Sequence, residues 1–147
     1  MAYKEIPLYN LQRTVGPGCP NKPTDVMLVQ FFLQQIYAHP RGAAHGPPGP
    51  KVAITGTSDG TTAAWIKHFQ DDINASGSAI RIVADGKVDR QPVQYRMTPR
   101  THSNYTIAIL NNTYRRFYKD VHDHLERHPL IPPPLKAEFI AFEPIDR

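Results

Sequence analysis

The apolar residues of the chain fall into three runs of helical period, separated by stretches rich in proline and glycine. In the first run Val26, Val29, Leu33 and Ile36 recur at steps of three, four and three, widened by Phe32 and Tyr37. This spacing predicts an amphipathic helix that starts at Thr24 as N-cap, places Asp25 against the positive end of its dipole and stops before Pro40. The second run, Ala63, Ile66, Phe69 and Ile73, predicts a helix capped near Asp59 or Thr61, extending to about Ala75 and closed by Gly77. The third is the longest: Ile107, Leu110, Tyr114, Phe117, Val121 and Leu125 predict one helix over about Ser103–Glu126, ended by Pro129. A mainly α, compact three-helix domain is the expected fold.

The intervening segments read differently. In residues 1–15, Ile6, Leu8 and Asn10 alternate with Pro7, Tyr9 and Leu11, which suits an edge strand or an arm. Residues 16–23 form a Pro/Gly loop, and the Pro/Gly/Ala insert at 39–51 reads as a surface loop, neither helix nor central strand. Ile80, Ile82 and Val88 flank Asp85-Gly86, the signature of a short hairpin. Residues 129–147 open as polyproline and then alternate through Leu135, Ala137, Phe139 and Ala141, which predicts an extended arm docking on the body or on a neighbour. The chain thus divides into an N-terminal arm (1–15), a helical domain (16–128) and a Pro-rich C-terminal arm (129–147).

Composition narrows the chemistry. At 147 residues, one domain buries enough surface to need no covalent staple. The single Cys19 excludes an intrachain disulfide and any CxxC metal or redox motif. The net charge of +4 is scattered, with only Arg96/Arg100 and Arg115-Arg116 close together, and no basic face interleaved with aromatics marks a specific nucleic-acid binder. No window holds the roughly 20 apolar residues of a membrane span, and the first residues lack the apolar core of a secretory signal. The expected product is made in the cytoplasm and reaches a particle or a wall by another route.

Catalytic patterns are missing. His124 and His128 lie one helical turn apart, but Glu126 does not follow the first histidine as a zinc-protease motif requires. No phosphate loop and no nucleophile elbow occurs, and Asp71-Asp72 and Asp85/Asp89 carry no readable separation. A non-catalytic protein without metal or cofactor is expected.

Three short motifs in order give the chain a likeness. Asp25-Val26-Met27-Leu28-Val29-Gln30-Phe31-Phe32-Leu33 comes first. Then Gly56-Thr57-Ser58-Asp59-Gly60-Thr61-Thr62 leads into Ala63-Ala64-Trp65-Ile66-Lys67-His68-Phe69-Gln70, and Ala84-Asp85-Gly86-Lys87-Val88-Asp89 follows. Over residues 11–90 this resembles the peptidoglycan-binding-like domain, a three-helix, non-catalytic module found beside wall hydrolases. The family's aromatic after the first loop glycine is replaced by Thr57-Ser58, its glycine after Val88 is Asp89, and Arg90 to Asn104 intervene before the last helix.

The resemblance makes Val29, Gln30, Leu33, Gly56, Gly60, Phe69, Gln70 and Gly86 a structural motif. The two glycines Gly56 and Gly60 are expected to supply positive φ before the second helix. Any glycan or stem-peptide groove would draw on Asp59, Thr61, Trp65 and Asp85, with Trp65 partly exposed as a face for a sugar. The rival reading is a structural subunit of a phage, tail-like or filamentous assembly, joined to neighbours through residues 1–15, 40–50 and 129–147. A small wall hydrolase is the third.

Overall fold

The computed structural model describes residues 7–45, 51–92 and 104–141, the side chains of 140 and 141 excepted. Among them the chain is mainly helical. In order come α1 (Pro23–Ala38), α2 (Pro40–Ala43), α3 (Gly60–Ala75), α4 (Thr106–Phe117), α5 (Lys119–His122), a 3-10 turn (Leu125–Arg127) and α6 (Pro133–Ala141). Strand pairing is limited, among the described residues, to two isolated bridges, Val15 with Val88 and Ile82 with Asn104.

Helix α1 is the hub, and α2, α3, α4 and α6 all pack on it. Leu28, Phe31 and Phe32 are as buried as the predicted stripe of Val26, Val29, Leu33 and Ile36. A helix buried around most of its circumference lies in the centre of a domain. Phe31, Phe32 and Tyr114 of α4 form one aromatic knot, with ring centroids 5.4–6.0 Å apart.

Proline shapes several helix starts. Lys22, not Thr24, occupies the N-cap of α1, and Pro23 takes its first turn, where no N–H is required. The Thr24 hydroxyl donates instead to Glu138 of α6 at 2.8 Å. The insert at 39–51 was expected to exclude helix, yet Pro40–Ala43 makes one turn, with the His39 Nδ1 accepting the Arg41 N–H at 3.1 Å. The expected extended C-terminal arm is likewise helical over Pro133–Ala141. Leu135 and Phe139 are four apart, so both face the body, and the Phe139 ring lies 5.0 Å from Tyr9. Residues 1–6, 46–50 and 142–147 of the arms and loop lie outside the described residues.

Two further expectations change. The long third helix breaks at Tyr118, whose φ of −133° and ψ of 59° leave the helical region. Tertiary contacts outweigh the periodic pattern there: the Tyr118 hydroxyl donates to the Gln35 carbonyl at 2.8 Å, and the turn carries His122 back onto Asn111. The hairpin at Asp85-Gly86 is not formed either. Val88 pairs with Val15 through N–H···O bonds of 2.9 and 2.8 Å, and Ile82 pairs with Asn104.

In place of a sheet, carboxamide side chains hold the extended segments. Asn111 Oδ1 accepts the Tyr9 N–H at 2.9 Å and its Nδ2 donates to the Tyr9 carbonyl at 3.0 Å. Asn10 grips Gln91 in the same two-pronged way, and Asn74 grips Ile82. Each clamp satisfies one N–H and one C=O of a segment that belongs to no sheet among the described residues. The described part of the N-terminal arm therefore packs on the chain's own body, with Leu11 and Val15 buried.

Candidate functional site

Two glutamine latches organise the region of the sequence motif. Gln30, 1% exposed in the middle of α1, accepts the N–H groups of Thr55 and Gly56 on Oε1 at 2.8 and 3.0 Å. Its Nε2 faces the Thr57 carbonyl and the hydroxyls of Thr55 and Thr62, at 3.0–3.1 Å. Gln70 of α3 repeats the arrangement. Its Oε1 accepts the Gly86 N–H at 2.8 Å, and its Nε2 donates to the Lys87 carbonyl at 2.9 Å and the Thr106 hydroxyl at 3.1 Å.

In both latches a buried glutamine binds a glycine turn and a threonine in the first turn of the next long helix, Thr62 in α3 and Thr106 in α4. Gly56 and Gly86 have φ of +80° and +75°, which an L side chain resists. Gly60 does not share this role: it is the first residue of α3, and its φ is not positive.

The predicted ligand residues are scattered over this scaffold. Asp59 is the N-cap of α3, accepting the Thr62 N–H at 2.9 Å and the Thr62 hydroxyl at 3.0 Å. Those two bonds hold its carboxyl below the ordinary value of 3.8. Asp85 accepts the Lys87 N–H at 2.9 Å and belongs to the second turn. Thr61 is half-buried beside the cap. Trp65 is 3% exposed and packs 4.9 Å from Tyr37, so it offers no sugar platform. The period of α3 explains this: Trp65, Thr62 and Gln70 share the buried side with Ile66 and Phe69, while Ala63 and Ile73 sit at its margins.

Because Asp59 is held in its charged form, its share of stability is full above the unfolded carboxylate pKa and is lost as pH falls through the folded value. Asp59→Ala is expected to cost about 1 kcal/mol at pH 7. In chemical-denaturation curves the gap from the wild type should shrink as pH falls below the ordinary carboxyl value of 3.8.

Two concave regions stand out among the described residues. The first, about 550 Å³, lies between the N-terminal segment, α1 and α6, and includes Asp25, Asp123, Glu126 and Glu138. Its acids are engaged in the fold. Asp25 accepts the N–H groups of Gln12 and Arg13, although burial raises its carboxyl pKa; Glu138 pairs with Lys22 and Thr24. Asp123 faces His122 and Arg115, with His122 buried and pushed by that burial toward its neutral form. No group of three metal-ligating side chains occurs among the described residues, and the break at α5 removes the helical spacing that would have paired His124 with His128.

The second region, about 450 Å³, lies where the C-terminal ends of α1, α3 and α4 meet α2. Its floor is apolar, from Ile36, Phe69, Ile73 and Ile109. Arg41, Asp72, Arg116 and Phe117 stand on its walls. Asp72 Oδ2 accepts the Tyr37 hydroxyl at 3.1 Å, and its Oδ1 lies 2.7 Å from His45 Nδ1. Burial and Asp72 together keep the Tyr37 phenol protonated. The sequence reading missed this cleft, because its residues come from four elements and form no motif.

Protein-family models, curated proteins and solved structures contain no match to this chain.

Proposed function

We propose that the chain is a non-catalytic recognition domain of the peptidoglycan-binding-like kind, with cell-wall glycan or its stem peptide as ligand. The observation that carries this reading is the repeated latch. In each repeat a glutamine within one long helix closes on a glycine turn and on a threonine in the first turn of the next long helix. Three motifs quoted from the sequence thereby become one spatial unit, which supports the resemblance beyond the letters. The cleft at the helix ends is the ligand site in this reading, since it has an apolar floor with a few convergent polar groups. Such a ligand lies outside the cytoplasm, so the reading requires export or release.

Purified cell-wall sacculi, pelleted with the protein at moderate salt, test it. Retention on sacculi but not on cellulose is expected, without release of soluble muropeptides. Equal recovery in the supernatant with and without sacculi would overturn the proposal. Muropeptide release abolished by a single carboxylate substitution would replace it with a hydrolase.

A further inference from the structure

We infer that the cleft between α1, α2, α3 and α4 recognises the free α-carboxylate of a short peptide with small apolar side chains, rather than a sugar ring. The inference rests on the wall reading for its ligand source, and on the cleft for its chemistry. Neither the Arg41 nor the Arg116 guanidinium has an acidic partner among the described residues, although both border the same concavity. Asp72, an acid of the same lining, is already engaged by the Tyr37 hydroxyl and His45. Two guanidinium groups against one carboxylate leave the lining net positive toward a ligand. A guanidinium offers a carboxylate two parallel donors, which gives direction as well as attraction.

The aromatic surface argues against a sugar. Stacking a pyranose needs an open ring face. The Phe117 ring already carries the His39 ring, stacked at 4.5 Å and 17°, and the Arg41 guanidinium at 5.3 Å. Trp65 is buried. Small aliphatic side chains suit the isoleucine floor, and a bare phosphate would leave that floor unused.

The experiment uses the full chain and four probes: N-acetyl-lysyl-D-alanyl-D-alanine, its C-terminal amide, inorganic phosphate and chitotetraose, each titrated by calorimetry at low salt. The free acid is expected to bind, and the amide to bind at least tenfold more weakly. Arg41→Gln and Arg116→Gln should each weaken the acid by about tenfold or more, the scale of a lost hydrogen bond to a charged group. Lys67→Gln, which removes the same charge from an i,i+4 pair on α3, should leave binding unchanged. Each variant's circular dichroism and melting curve should match the wild type, since both arginines are exposed.

Equal affinity for acid and amide, no binding of the acid, insensitivity to both arginine changes, or competition by phosphate or chitotetraose as strong as the acid's would each overturn the inference. The two proposals fail separately. If the Arg41→Gln/Arg116→Gln double variant still pellets with sacculi, the carboxylate site falls and wall binding stands. If the acid binds selectively while the wild type ignores sacculi, the site stands and wall binding falls.

Discussion

Gln30→Ala is expected to destabilise the domain by about 3 kcal/mol. The substitution removes a small side chain's worth of packing, which is the lesser part. The larger part is the set of groups it abandons. The Thr55 and Gly56 N–H groups lose their shared acceptor, and the Thr62 hydroxyl and Thr57 carbonyl lose a donor. Gly56 is itself buried, so water reaches its N–H poorly. An unsatisfied buried polar group costs about 1–3 kcal/mol. At roughly 2–4 °C per kcal/mol for a chain near this size, the melting midpoint should drop by about 6–12 °C.

Gln30→Glu offers a control with nearly the same shape. Ionised, it keeps an acceptor for the two N–H groups and loses the donor; protonated, its O–H restores one donor, so it should cost less than alanine at a pH low enough to protonate the new carboxyl. The second latch gives an independent check. Gln70 shares no hydrogen-bond partner with Gln30 among the described residues, so Gln30→Ala and Gln70→Ala should add to within about 0.5 kcal/mol in equilibrium unfolding. A coupling above about 1 kcal/mol would mean that α3, which carries one latch and receives the other, transmits strain between them.

The latches also show what was legible in the sequence. Asp59 as a cap, Gly77 past the end of α3, and Phe69 at the core all follow from local rules: a side-chain acceptor before a helix, a left-handed residue after it, an apolar side chain on the inner stripe. The third carboxamide escaped. Gln30, Gln70 and Asn111 stand 40 and 41 positions apart, each directly after an apolar residue in a helix. Asn111 does for the Tyr9 backbone what the glutamines do for the glycine turns. That spacing is a signal that a search for internal repeats can find.

Other features could not be read from one-dimensional pattern. The break at Tyr118 lies inside an unbroken helical period, and it arises because His122, Asn111 and Tyr9 meet across more than a hundred residues of chain. The helical end at Pro133–Ala141 was hidden by its prolines, which mark polyproline as readily as a helix start. The 63/66/69/73 stripe of α3 leaves Trp65 partly exposed because it is narrower than the buried face: Tyr37 and His68 complete a pocket around Trp65 that no periodicity reports. The cleft with Arg41 and Arg116 is a product of packing alone.

Phe31→Ala should have the largest effect of any single substitution in α1, about 3–5 kcal/mol. Phe31 is fully buried, outside the stripe that the helical period assigns to the core. Its ring lies 5.4 Å from Tyr114 and meets the His128 ring edge-on at 4.9 Å, so it joins α1 to α4 and to the turn that leads into α6. Truncation leaves a cavity on the side of the hub that holds the C-terminal segment. Phe69→Ala removes a ring of the same size, at the junction of α3 with the helix-end cleft. The two are expected to cost similar free energy and to differ in what opens. Hydrogen exchange should rise first in 125–139 for Phe31→Ala, and in the 60–75 helix for Phe69→Ala. A cost below 1 kcal/mol for Phe31→Ala, or exchange confined to α3, would show that the central position of α1 is wrong. The same outcome would detach the latch at Gln30 from the core that gives it its strength.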